Sequence, residues 1–409
     1  MKKPNWKSSI ARFLTAQTIS LLGSSLVQYA IIWYITLSTS SGKMLTISTL
    51  CGFLPQIMIS LFAGVWIDRY DRKKMIMLSD SVIAAATLLL AAAFFTGHRS
   101  YWLLFAVLAV RSAGTGIQTP AVNAIIPQLV PQEHLMKVNG INSTLSSLMM
   151  FLSPALSGAI LTVAPLETTL LIDVVTAVIG VCITATIYVK PYEQKAAGKN
   201  EKTEGKIKNS SLEDIRSGFR YLKENRFIKR LLIYQITILF LISPSAFLTP
   251  LMVSRTFGEE VWRLTASEMT YSLGMVLGGI VIASWGGFKK KMNTTLFAGA
   301  AYGLLMIGLG IAPVFLFYLI CNTMIGITSP CYNAPITVTI QENVPPKMQG
   351  RIFSFMQIAG SCALPFGMAV FGPLADMIQV QWILCGAGIL VVLISLSVKY
   401  NLLRCAYKL

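Results

Sequence analysis

The sequence predicts an all-α polytopic membrane protein, with twelve transmembrane helices in two six-helix bundles around a central pathway. Three observations carry this. Of the 409 residues, 54% are apolar and only 12% charged, against about 45–50% and 25% in soluble domains. Stretches without Asp, Glu, Lys or Arg recur along the chain at bilayer-spanning length, and each such residue near the bilayer centre costs about 2.5–3.5 kcal/mol on insertion. One long charged segment then divides these stretches six and six. A net charge of +17 beside a mean hydropathy of +0.65 excludes a nucleic-acid partner and names the lipid bilayer instead.

The elements follow in order. Helix 1 falls in the charge-free run 13–42. The preceding MKKPNWKSS imitates a secretory signal, but the apolar stretch outruns an h-region and no Ala-x-Ala site closes it. Helices 2 and 3 lie in 44–67 and 81–98. Helix 4 starts at Tyr101, admits Arg111 and continues through the charge-free run 112–132. Helix 5 lies in 138–166, and helix 6, at 168–189, contains Asp173. Helices 7 and 8 occupy 231–254 and 269–288. The charge-free run 292–341 is too long for one span, and Ala312-Pro313 breaks it into helices 9 and 10. Helices 11 and 12 lie in 352–375 and 377–398.

With the N-terminus inside, 29 of the 34 Lys and Arg fall in cytoplasmic segments, and only Lys43, Arg99, Arg255 and Arg263 fall outside. Both termini are therefore expected on the cytoplasmic side. The expected domains are an N-terminal bundle at 1–189, a cytoplasmic linker at 190–230 and a C-terminal bundle at 231–409. Within the linker, SSLEDIRSGFRYLKENRF places Ile215, Phe219 and Leu222 on one helical face behind a Ser210/Glu213 capping box. That pattern fits an amphipathic helix on the inner membrane surface or a solvated helix with a narrow apolar stripe.

The halves carry an echo. GIQTPAVNA at 116–124 and GITSPCYNA at 326–334 share five of nine residues at an offset of 210, each in the fourth span of its half. This suggests an internal duplication, with Pro120 and Pro330 as matched helix-bending points and Pro154 another in helix 5. The seven cysteines show no CxxC spacing and predict packing, with no disulfide, metal or cofactor framework. His98 and His134, the only histidines, fall in connections outside any constellation, which argues against a membrane enzyme. No Gly-x4-Gly-Lys-Ser/Thr loop is present, so transport would draw on an ion gradient or a partner ATPase that the sequence does not identify.

Helix 2 ends in GVWIDRYDRKK, residues 64–74. This stretch resembles the major facilitator superfamily loop Gly-x3-Asp-Arg-x-Gly-Arg-Lys, with Gly64, Asp68, Arg69, Arg72 and Lys73 on the pattern and Asp71 where the family usually has Gly. SPALSG at 153–158 resembles the Gly-Pro-x-x-Gly-Gly signature of drug antiporters, with Ser at two glycine places. Over its whole length the chain is similar to the drug:proton antiporter group of Gram-positive bacteria, and within it to the macrolide exporters. The resemblance implies the major facilitator fold, macrolide export coupled to protons, and a conformational latch at Gly64, Asp68, Arg69, Arg72 and Lys73 that ties the loop to the opposite half.

It also implies a central cavity lined by helices 1, 4, 7 and 10. Their polar residues are Gln17, Gln28, Tyr29 and Trp33; Gln118 and Asn123; Tyr234 and Gln235; and Tyr318, Asn322, Tyr332 and Asn333. Such a wall suits a large, mostly apolar ligand with a few hydroxyls and a basic amine, although interhelical hydrogen bonding would use the same residue types. Charges inside the membrane are the candidates for proton coupling: Asp173, Asp80 and Arg111. Asp80 could instead partner the basic loop, and Asp173 could be a wetted carboxylate at a cavity mouth. Glu268 and Asp376 lie nearer the outer boundary. Arg111, about 15 Å into helix 4, would bias a neighbouring carboxylate toward releasing its proton or donate to helix carbonyls.

Overall fold

The computed structural model describes residues 6–189 and 223–406. Among the described residues the secondary structure is thirteen α-helices and a short 3-10 turn, with no strand. The first six helices are α1 (Trp6–Thr39), α2 (Gly42–Arg69), α3 (Arg72–Phe95), α4 (Tyr101–Leu129), α5 (Leu135–Val163) and α6 (Leu166–Ala185). They are followed by α7 (Arg226–Phe247), the short α8 (Thr249–Phe257), α9 (Val261–Trp285), α10 (Lys291–Gly310), α11 (Phe315–Asn343), α12 (Pro346–Leu374) and α13 (Val380–Ala406).

Among the described residues, eleven helices are long and apolar enough to cross a membrane. The remaining long one is α4, whose 29 residues include Arg111 and a polar second half. Most of the expected linker, with its amphipathic helix, lies outside the described residues. Its last residues already belong to α7, where Asn225 caps the helix by accepting from Phe227 N and Ile228 N at 3.1 Å.

The chain divides into two compact units, Met1–Tyr192 with Val253–Met269, and Glu193–Met252 with Thr270–Leu409. Within the first, α1 packs on α5 and α6, α3 on α4 and α6, and α2 on α4. Within the second, α7 packs on α12 and α13, and α10 on α11 and α13. These four repeat four of the five pairings of the first unit, displaced by one half of the chain.

The echoed motif shows why it recurs. A Cβ on Gly116 of α4 would stand 2.8 Å from the carbonyl oxygen of Gln56 in α2. A Cβ on Gly326, its counterpart in α11, would strike the Tyr271 carbonyl of α9 and lie 2.9 Å from Gly274 Cα. Both glycines let two helix backbones touch at the same place in their own units, where any side chain would hold them apart. The contact in the first unit is reinforced by Ser60, whose Oγ donates to the Gly116 carbonyl at 3.1 Å.

Candidate functional site

All the buried charged residues described, Asp80, Arg111, Glu167 and Asp173, belong to the first unit. Arg111 and Asp173 form an ion pair between α4 and α6, with side chains 4% and 0% exposed. Three helices complete the pair. Asp173 Oδ1 accepts from Ser24 Oγ of α1 at 3.0 Å, and Oδ2 lies 3.0 Å from Thr87 Oγ1 of α3. Arg111 also donates through Nη1 to the Thr87 hydroxyl and through Nη2 to the Ser24 carbonyl at 3.0 Å. The single Thr87 proton goes to Asp173 or to its own helix at the Ile83 carbonyl, 2.9 Å away. A guanidinium so placed joins α1, α3, α4 and α6 at one point, and both charges are desolvated together. Asp173 is therefore no wetted carboxylate at a cavity mouth. Arg111 thus meets both a carboxylate and a helix carbonyl.

Asp80 sits in the same core, 2% exposed. It does not partner the basic loop. Its Oδ1 accepts from Ser20 Oγ of α1 and from Gln118 Nε2 of α4, both at 2.7 Å, while its buried Oδ2 has no partner. The two aspartates are thus held differently. Asp173 is neutralised by a fixed cation, whereas the charge on Asp80 is met only by neutral donors. Serine and threonine hydroxyls supply much of both settings, and Ser20, Ser24 and Thr87 were not among the residues singled out in the sequence. The spacing of Ser20 and Ser24, one turn apart on a membrane helix, was the available signal.

The loop after α2 is built as follows. Asp71, in the place where the family usually has glycine, caps α3 by accepting from Lys73 N at 2.9 Å and Lys74 N at 3.4 Å. Its φ of −63° needs no left-handed residue, so the missing glycine leaves no strain. Arg72 Nη1 donates to the Ala124 carbonyl of α4 at 2.7 Å. Lys73 Nζ donates to the Ala185 and Ile187 carbonyls at 2.8 Å, closing the end of α6. Both bases reach carbonyls toward the C-terminal ends of helices of their own unit, where the helix dipole attracts cations. Gly64, Asp68 and Arg69 belong to the last turns of α2. In the second unit the matching turn uses glycine instead: Gly286 and Gly287 have φ of +71° and +76°.

Of the expected cavity residues, Gln17, Trp33, Tyr234, Tyr318, Asn322 and Tyr332 are buried. Tyr234 Oη and Ser395 Oγ are 3.2 Å apart, Asn322 Nδ2 donates to Thr270 Oγ1 at 3.4 Å, and the Tyr234 and Tyr332 rings pack 6.2 Å apart. These groups are engaged in packing in this structure. Gln28, Tyr29, Gln118 and Gln235 are half-buried, and Asn123 and Asn333, the matched asparagines of the echo, are exposed. Pro120, Pro154 and Pro330 lie inside α4, α5 and α11. Asp376 is exposed after α12, and Glu268 is part-buried in α9. Among the described residues no cluster of His, Cys, Asp and Glu could hold a metal ion.

Helices of spanning length and apolarity that enclose a buried ion pair and a lone carboxylate make a multi-pass membrane protein, and its sequence makes it a transporter. The sequence pattern of the Major Facilitator Superfamily matches residues 13–368, and the chain belongs to that family. It is 30% identical over 398 residues to Macrolide efflux protein A of Streptococcus pyogenes, covering 97% of this chain and 96% of that one. It is also 30% identical over 330 residues to Macrolide efflux protein A of Enterococcus faecalis, covering 80% of this chain and 99% of that one. Among solved structures, a POT family transporter in complex with 5-aminolevulinic acid superposes with a TM-score of 0.73 at 13% identity, over 97% and 96% of the two chains. The last likeness concerns the fold alone.

Proposed function

We propose that this protein exports macrolide antibiotics across the cell membrane in exchange for protons, by alternating access between two halves whose termini are cytoplasmic, with α4 as the twelfth span. The observation that carries the substrate class is the likeness to the macrolide efflux proteins over nearly the full length of both chains. The core of the first unit supports the coupling. Asp80 has no cation partner, so a proton is what neutralises it, whereas Asp173 already has Arg111. Asp80 is accordingly the proton-carrying residue in this reading, with Arg111 and Asp173 as its fixed electrostatic frame. The end of α2, with Gly64, Asp68 and Arg69, and the start of α3, with Arg72 and Lys73, serve as the latch of the cycle.

Uptake of radiolabelled macrolide into inverted vesicles tests the reading. An imposed pH gradient should drive accumulation, and Asp80→Asn should abolish the gradient-driven part while leaving downhill exchange. Uptake that requires ATP and a second protein would refute proton antiport. A drug panel in which other amphiphiles are exported and macrolides are not would refute the substrate.

A further inference from the structure

Of the residues expected to face substrate, Gln118 is bonded directly to one expected to carry the proton. Resting on the export reading above, we propose that the Gln118 side-chain amide is a two-way switch that converts the protonation of Asp80 into loss of a ligand's hydrogen-bond acceptor.

An ionised carboxylate only accepts, so Gln118 must turn its NH2 toward Asp80 Oδ1, as found at 2.7 Å, and its Oε1 away. Gln118 is half-buried, and Oε1 makes no hydrogen bond to the described residues. A ligand approaching this side therefore meets a carbonyl acceptor. Protonated Asp80 gains an O–H that must find an acceptor. Oδ2 is buried and makes no hydrogen bond, whereas Oδ1 already faces the Gln118 amide. Turning the Gln118 amide over supplies Oε1 to the new O–H and sends Nε2 outward. The ligand now meets a donor. A compound offering an ammonium, which can only donate, is held while Asp80 is ionised and loses that hydrogen bond once it is protonated.

The surroundings leave Asp80 in control. The charged groups facing it are Asp173 from α6 and, bound to Asp173, Arg111 from α4. Along α1 the chain carries no charge from residue 13 to 42, and on α3 the nearest charge is Lys74. Ser20 is the rival switch, since its hydroxyl could accept the Asp80 proton and turn its own toward a carbonyl of α1.

The test is equilibrium binding of radiolabelled macrolide to the purified full-length protein in detergent, as a function of pH. Asp80→Asn gives the slope due to the drug's own titration. Wild type should lose affinity beyond that slope, up to about tenfold per pH unit as Asp80 protonates. Gln118→Met should fall onto the Asp80→Asn slope, as should Gln118→Asn, which stays polar but is a methylene too short to reach Oδ1. Ser20→Ala should keep the wild-type slope. A wild-type slope in both Gln118 variants would mean that the Asp80 charge acts on the drug directly, and the switch is refuted. Flattening by Ser20→Ala alone would move the switch to the hydroxyl. A wild-type slope equal to that of Asp80→Asn would instead sink the proton reading, and no macrolide binding by wild type would sink the substrate reading.

Discussion

Replacing Arg111 with Met while keeping Asp173 removes the cation from a carboxylate that has no exposed surface. Asp173 would keep only the Ser24 and Thr87 hydroxyls, and Thr87 and the Ser24 carbonyl would lose their guanidinium donor. The lost contacts include charged hydrogen bonds to Asp173 and Thr87, each worth about 1.5–3 kcal/mol. An independent route, breaking one side of a buried pair, gives about 3–5 kcal/mol. The two ranges overlap, so Arg111→Met should destabilise the first unit by about 3–5 kcal/mol. For a unit of this size each kcal/mol shifts the melting point by about 2–4 °C, which gives a fall of about 6–20 °C. The assay is thermal unfolding in detergent followed by size-exclusion fluorescence. Arg111→Met/Asp173→Leu should recover most of the loss, because an apolar pair of similar volume leaves no charge behind. A double variant no more stable than Arg111→Met would refute the reasoning, since the penalty would then lie in lost packing of the arginine stem.

The other expectations concern charge, capping and backbone contact. Arg111→Lys should retain gradient-driven export that Arg111→Gln loses, read as initial uptake rates in inverted vesicles with matched protein insertion. Asp71→Ala should cost about 0.5–2 kcal/mol through loss of the α3 cap, with Asp71→Ser restoring most of it in the same melting assay. Gly116→Ala and Gly326→Ala should each cost about 1–3 kcal/mol, because the new methyl meets a neighbouring helix backbone. Gly140→Ala and Gly279→Ala, where a Cβ meets nothing within 4 Å, should instead be neutral or stabilising by about 0.5–1 kcal/mol.

The spans were legible because membrane burial penalises charge so heavily that gaps between charges mark helices. The same penalty made Asp80, Arg111 and Asp173 stand out. Their partnerships were not legible. That Asp173 rather than Asp80 meets Arg111 depends on how α4 and α6 rotate against each other, and both helices carry apolar residues on every face, so no stripe fixes that rotation. Hydroxyls offered only their spacing, which does not tell a partner on another helix from a bond within the helix. Ser24 reaches Asp173, whereas Ser38, in the same helix and equally plain in sequence, bonds back to the Tyr34 carbonyl. Trp33 and Tyr318 read as cavity aromatics but are 1% and 0% exposed, because a ring with one polar atom fills a core as readily as a wall.

The Arg111–Asp173 pair also bears on how the chain is made. Alone, α4 carries an arginine near its middle that opposes lateral release into lipid by about 2.5–3.5 kcal/mol. Its counter-charge is synthesised 62 residues later, on α6. The fourth helix is therefore expected to wait beside the translocon, still in contact with it, until the sixth emerges, and the two should enter the bilayer together. Chains arrested once Leu129 has cleared the ribosome should keep α4 crosslinkable to the translocon, and chains arrested once Ala185 has cleared it should not. An interaction that steadies the finished protein thus sets the order in which its helices can leave the ribosome's exit machinery.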